Sequence, residues 1–408
     1  MKTSLALIVI LIGLVGYAVW LCRPGASRPV AVPRGYNMAV ASQPAEEPLS
    51  ELRYGPQGDV ILLAVIAERT GPAGPQNEPG FAAVRFAVDR LNAQGGVLGK
   101  PVALIEIDNR TSTLTATAAA KRAIEVGAVA VIGSCRSDNS LAMAKVLQPA
   151  GVPMITPEST NPQVTPVGDH IFRTCFTDDF QAVVLAAFAR EHLQAKRAVT
   201  ITCSDRLFSR DLTRFFTEQF RKRGGEVLWD GQYLGTDANF DDLVARMVKS
   251  EPDVVFIPSE VRDGGLIIKQ ATEAGLHPNW IGPDSWNSGL YEIAGNHVEG
   301  AYFSTHWHRD SDLPASLSFV ADYERTVGPI RRAGVVMFYD TAMLVFDALR
   351  RAGRADRAAL CVALAATKNF SGVSGPITFN SERNPADKPA VILQLRDGAE
   401  HFVVLQRP

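Results

Sequence analysis

The 408-residue sequence predicts an α/β protein made of two doubly wound lobes. Short, continuously apolar runs end in glycine, proline or hydroxyl-rich turns, helical stripes stand between them, and the alternation restarts near the middle of the chain. At roughly 150 residues per domain, the length fits two or three folded units. Hydrophobic residues make up 46% and charged residues 21%, the balance of a chain that buries a core. With 41 Lys and Arg against 43 Asp and Glu, the net charge is −2, so no overall field attracts a phosphate backbone and nucleic acid is a poor candidate partner.

Ahead of the lobes, Lys2 precedes an apolar run from Ser4 to Cys22, close to the ~17–25 residues that cross a hydrocarbon core as a helix. Residues 1–22 therefore read as a membrane anchor or signal segment. Trp20 and Leu21 stand where a cleavage site needs small residues, which favours retention; lipidation at Cys22 is the alternative, with Leu21 departing from the small residue expected before it. Arg23, Arg28 and Arg34 follow the run, and by charge bias alone they favour a cytoplasmic C-terminal side, in conflict with export. Residues 23–54 carry Pro, Ala, Arg and Glu without apolar periodicity and read as a flexible linker.

The run from Val60 to Ile66, bounded by Gly58 and Gly71-Pro72, is expected as a strand covered on both faces. Phe81, Val84, Val88 and Leu91 form a helical stripe ending at Gly95-Gly96. Val102 to Ile107 repeats the strand, Thr113 caps a helix running to Glu125, and Ala128 to Ile132 gives a third strand. A helix before Pro149 and strands at Val152 to Ile155 and Ile171 to Thr174 complete one lobe. The second begins with a helix from about Asp179 to Leu193, a strand at Ala198 to Thr202, and a helix with Leu212, Phe215, Phe216 and Phe220 on one face. Strand Val254 to Ile257, helix Gly265 to Ala274 and strand Trp280-Ile281 follow. Helices near Ser316 to Val327 and Met337 to Arg351 precede a last strand pair, Pro376 to Phe379 and Ala390 to Leu395, which reads as a hairpin.

Ligands of open α/β sheets bind beyond the carboxyl ends of the strands, so the loops there are the candidate site. Ser134 to Ser140 brings hydroxyls to a helix N-terminus, an arrangement that either receives an anion such as a carboxylate or caps its own helix through Ser137 or Asp138. Glu158, Ser159 and Thr160 follow the next strand and supply further donors, with a turn as the plainer alternative. In the second half, Phe208, Glu260 and Asp284 follow successive strands; Asp284 is the best partner for an ammonium, or else a solvated turn residue. Catalytic motifs are missing: there is no His-Glu-x-x-His and no Gly-x-Ser-x-Gly, and Gly99-Lys100 fails as a phosphate loop because Gln94 and Pro101 occupy its other key positions. His306 and His308 flank Trp307 as if on one strand face and suit a surface or interdomain pair better than a metal. Cys135, Cys175 and Cys203 end apolar runs and read as small buried residues, although two of them would meet across a cleft.

Thr70-Gly71-Pro72, Asn92 to Gly99, Val131-Ile132-Gly133 with Ser137, Pro153 to Pro157, Thr160-Asn161-Pro162, Phe172-Arg173-Thr174, Ile281-Gly282-Pro283 and Gly375 to Phe379 occur in an order and spacing that resemble type I periplasmic solute-binding proteins of the leucine/isoleucine/valine-binding group. The resemblance spans about Asp59 to Val404. It implies two hinged lobes joined by three crossovers near residues 177, 307 and 376, with lobe 1 at 55–177 plus 308–375 and lobe 2 at 178–307 plus 376–408. It also implies that Ser137 holds a ligand carboxylate, that the loop with Glu158, Ser159 and Thr160 serves carboxylate and ammonium, and that Asp284 takes the ammonium. Phe208 keeps the ring of a covering aromatic, while Glu260 departs from an aromatic position and points to a more polar ligand. The implied function is extracytoplasmic capture of an amino acid or related small amide for an ABC permease, without catalysis, cofactor or metal; a ligand-sensing module that regulates a partner is the alternative.

Overall fold

The computed structural model describes residues 48–72, 74, 77–311, 313–386 and 388–406. The expected membrane segment at 1–22 and most of the linker lie outside the described residues.

The first sheet takes strands β1 (Glu51–Tyr54), β2 (Ile61–Ala67), β3 (Val102–Asp108), β4 (Ala130–Gly133), β5 (Met154–Thr156) and β6 (Ile171–Arg173) in the order β1-β3-β2-β4-β5-β6. All neighbours are parallel except β1, which runs antiparallel to β3. Between the strands lie α1 (Glu78–Ala93), α2 (Thr113–Glu125) and α3 (Ser137–Leu147). The continuous apolar run of β2 has the expected cause: Leu63 and Val65 face the core shared with α1, while Ala64 and Ile66 face the opposite core, against α2 and α3. One expectation fails here, because the end of the predicted linker is β1. Its side chains are mostly exposed, and it is held by the ladder to β3, by Glu51 on Arg122 and by the Tyr54 hydroxyl donating to Asp89 at 2.6 Å. A short polar edge strand carries no apolar signal.

The second sheet contains β7 (Arg197–Cys203), β8 (Glu226–Tyr233), β9 (Val254–Phe256), β10 (Asn279–Gly282), β11 (Tyr302–Thr305), β14 (Ala390–Arg396) and β15 (Ala399–Gln406), ordered β15-β14-β11-β10-β9-β7-β8. Helices α4 (Asp178–Ala187), α5 (Leu207–Lys222), α6 (Asp241–Ser250), α7 (Val261–Glu273) and α8 (Leu290–Ala294) belong to this half. Strands β12 (Phe370–Gly372) and β13 (Gly375–Ile377) form a separate pair. The parallel core β8-β7-β9-β10-β11 repeats the winding of β3-β2-β4-β5-β6, so each sheet has a switch point, at β2/β4 and at β7/β9. Strand β8 and helix α6 were not expected from the sequence, since β8 is half-exposed and its pattern is mixed.

After β11 the chain returns to the first sheet. Helices α9 (Pro314–Thr326), α10 (Gly334–Ala352) and α11 (Arg357–Ala365) send Phe319, Val336, Phe338 and Leu360 into the core that holds Val65 and Phe81. The chain thus passes between the two sheets' cores after β6, after β11 and after β13. The last hairpin differs from expectation: β13 pairs with β12, and β14 turns back onto β15 through Asp397-Gly398, both with positive φ (53° and 76°). His306 and His308 lie beyond the end of β11 rather than on a strand.

Candidate functional site

The loops at the carboxyl ends of the two sheets enclose a cavity of about 90 Å³. Ser137, Glu158, Thr160, Phe208, Glu260 and Asp284 all line it, so the first and second halves each contribute three of the expected residues. Its size admits a small molecule.

On the first wall, β4 ends at Gly133 with φ 131°, and a Cβ there would stand 1.8 Å from the Ile66 carbonyl oxygen, so only glycine lets the loop turn off the sheet at this point. Beneath the loop lies Glu68, fully buried just after β2. It accepts from the Ser134 hydroxyl, from the Asn139 and Asn109 amides at 2.8 and 3.2 Å, and from the Cys135 and Arg136 backbone N–H groups at 3.3 Å each. These bonds fix the loop from below and leave the first turn of α3 facing the cavity, where free N–H groups and the helix dipole suit an anion. The Ser137 hydroxyl accepts from Asn161 N–H at 3.2 Å and keeps its own proton to donate.

The loop after β5 is tied as firmly. Arg173 is fully buried and donates to the Ser159 and Asn161 carbonyls at 2.7 and 2.8 Å, on either side of Thr160. Ser159, expected with the ligand-binding residues, is not among those lining the cavity: its hydroxyl bonds the Ser134 and Cys135 carbonyls at 2.9 and 3.0 Å and Ser140 at 2.7 Å, within the framework of the loop. Glu158 pairs with Arg332 at 3.2 Å, and Arg332 also donates to Asn77 at 3.0 Å.

On the second wall, Asp284 follows β10. It accepts from the Gln181 amide at 2.8 Å and lies 3.0 Å from the ring Nε2 of His306, so two neighbours orient it without using all its lone pairs. The loop itself is braced by the fully buried Trp286, whose ring N–H donates to Ser259 at 3.1 Å, and by the Ser285 hydroxyl on the Ser259 carbonyl at 2.7 Å. His306 is therefore a support of the acid, whereas His308 stands apart near Asp310. Beneath this wall Asp178 is fully buried beside the Thr160 hydroxyl; burial, then the Asp284 charge, pushes its carboxyl well above the usual range.

The walls also touch each other. Arg136 forms an ion pair with Glu260, and Asp211 on α5 accepts from Asn161 at 2.8 Å and from Gln163 at 3.1 Å. Cys135 and Cys203 line the cavity from opposite halves as free thiols. Burial, then the charges of Glu158 and Glu68, drives the Cys135 thiol well above its usual pKa, so it is a poor nucleophile. Among the described residues no group of three or more His, Cys, Asp or Glu side chains is placed to hold a metal ion. Sequence reasoning missed Glu68, Arg332 and Gln181. An acid ending an apolar strand flags Glu68, but nothing local marks the other two, which tertiary folding brings in from elsewhere.

A Leu/Ile/Val-binding protein of Citrobacter freundii is 28% identical over 242 residues, 59% of this chain and 66% of that protein. A Leu/Ile/Val-binding protein homologue of Brucella melitensis is 26% identical over 83% of this chain and 92% of its own. The crystal structure of a leucine-binding protein from Thermotoga maritima superposes with a TM-score of 0.82 at 32% identity, covering 86% of this chain and 99% of that one. An isoleucine complex of a branched-chain amino acid transporter substrate-binding protein from Streptococcus pneumoniae shares the fold, with a TM-score of 0.81 at 24% identity over 86% of this chain and 100% of that one. The family model described as periplasmic binding protein matches residues 60–400, nearly all of the two wound sheets and their shared cavity. The chain belongs to the periplasmic binding protein family.

Proposed function

We propose that this protein is an extracytoplasmic solute receptor that closes on an amino acid or related small amide and hands it to an ABC permease. The observation that supports it is the joint lining of one cavity by Ser137 and Thr160 from the first wall and Asp284 from the second. A zwitterion fits that division. Its carboxylate meets the N-terminus of α3 and two hydroxyls, and its ammonium meets an oriented carboxylate, each a charge-assisted contact. A ligand that touches Ser137 and Thr160 on one wall and Asp284 on the other has its full set of contacts only when the walls are together, so binding favours the closed arrangement. The lobes we assign are 55–177 plus 308–375 and 178–307 plus 376–408, with the edge strand β1 attached to the first. Residues 4–22 would deliver the protein to the membrane as a signal or retained anchor, and the activity is binding, not turnover.

Titration calorimetry of the purified protein against a panel of amino acids and small amides tests this. Saturable heat with unchanged ligand recovered afterwards is the expected result; no binding, or consumption of a panel member, contradicts it.

A further inference from the structure

The wall around the zwitterion contacts is not aliphatic. Asn77, Arg136, Glu158, Glu260 and Arg332 face the cavity beside Ser137, Thr160 and Asp284, and Phe208 is the one large apolar side chain among the lining residues. Glu158 and Arg332 stand next to Asp284, since all three also border a second, smaller cavity with His306 and Gly334. Their placement is built into the fold: a Cβ at Gly334 would come within 2.8 Å of Glu158 Oε1, so the first residue of α10 leaves room for the carboxylate.

Two ion pairs stand in this lining, Arg332 with Glu158 and Arg136 with Glu260, beside Asp138, Arg206, Asp263 and Asp284. One acceptor is left with capacity to spare: Glu158 Oε2 is buried and takes no N–H or O–H donor among the described residues, with the weakly donating Cys135 thiol as its neighbour. A branched aliphatic side chain here would strip water from two ion pairs and satisfy nothing. A side chain carrying a full charge would compete with a partner already held in one of these two pairs. A neutral group that both donates and accepts fits: its N–H meets Glu158 Oε2 and its carbonyl accepts from a guanidinium.

We infer that the ligand, given the solute-binding reading above, is an amino acid with a neutral hydrogen-bonding side chain of the carboxamide class, and that Glu158 and Arg332 set this preference. Calorimetry with glutamine, asparagine, leucine, valine, lysine and glutamate tests it. Glutamine or asparagine is expected to bind at least about tenfold more tightly than leucine or valine, because a site built to hydrogen-bond rejects a ligand that cannot. Equal or tighter binding of leucine or valine, tightest binding of lysine or glutamate, or no binding by any of the six overturns the inference; the receptor reading falls only if the wider panel of amino acids and small amides also fails to bind. The double variant Glu158→Leu/Arg332→Leu, checked for folding by circular dichroism, is expected to lose the glutamine-over-leucine preference, and an unchanged ratio counts against the assignment. Should that variant fail to fold, Glu158→Gln keeps the size of the side chain, and glutamine affinity is expected to fall several-fold with leucine affinity unmoved; no change contradicts the role of Glu158.

Discussion

Glu68 and Asp284 are each an acid in a loop just beyond a strand of a wound sheet, Glu68 after β2 and Asp284 after β10, yet they differ in what they meet. Glu68 is turned into its own half and accepts from Ser134, Asn109, Asn139 and two backbone N–H groups. Asp284 lines the cavity and, among the described residues, is hydrogen-bonded to Gln181 and His306. A saturated carboxylate organises its surroundings; a partly satisfied one keeps capacity for a ligand. The loop above Glu68 is therefore held in place from within its own half, and in the proposed reading Asp284 supplies the charge for the ammonium.

That contrast can be broken at its strongest point first. Glu68→Ala leaves several buried donors without an acceptor, at about 1–3 kcal/mol for each. Chemical denaturation is expected to show a stability loss of several kcal/mol; a loss under about 1 kcal/mol would mean that Glu68 does not hold the loop. Asp284→Asn should leave the melt nearly unchanged and weaken amino-acid binding by about 1.5–3 kcal/mol, roughly ten- to a hundredfold, as measured by calorimetry.

The passage between the halves gives a pH prediction of similar or smaller size. Lys388 is buried and donates to the Thr174 carbonyl at 2.9 Å and to Ser374 at 2.8 Å, while Ser374 in turn bonds Asp340 on α10, so the chain entering β14 is pinned to the chain leaving β6. Burial pulls the Lys388 pKa down from 10.5 to about 8, against the opposing pull of Asp340. Below about pH 8 the folded and unfolded chains both hold the proton and the full penalty applies; above about 10.5 neither does and it is gone. The Lys388 contribution therefore makes stability rise with pH across that window, by about 3 kcal/mol at most at ~1.4 kcal/mol per unit. Denaturation midpoints against pH, compared with Lys388→Met, check the slope; identical profiles would contradict it. The smallest effect is expected for Glu260→Gln, whose partner Arg136 it meets in a partly exposed pair worth about 0.2–1 kcal/mol. Affinity should fall no more than about fivefold, and the difference should fade in high salt.

Much of this was legible in the sequence wherever a local signal existed. Runs buried on two faces, such as β2, and stripes such as Phe81 to Leu91 declare their structure because burial sets their composition. So did the cavity loops carrying Ser137, Thr160 and Asp284, which sit at strand ends. Strands β1 and β8 stayed hidden because their exposed faces are polar. The terminal hairpin was placed at Pro376 although Asp397-Gly398 is the stronger turn signal, a misreading of local chemistry. Ser159 looked like its neighbours, and only the tertiary packing reveals that its hydroxyl is spent on the Ser134 and Cys135 carbonyls. Arg332 and Gln181 reach the cavity region from distant segments, and no spacing rule brings them there.

The division of the ligand between the walls is best tested by a thermodynamic cycle. Calorimetry would compare the tightest-binding amino acid and its deaminated analogue on the wild-type protein and on Asp284→Asn. If Asp284 holds the ammonium, the wild type should lose about ten- to a hundredfold in affinity for the analogue while the variant barely distinguishes the two ligands. An equal loss in both proteins would place the ammonium elsewhere and contradict the account.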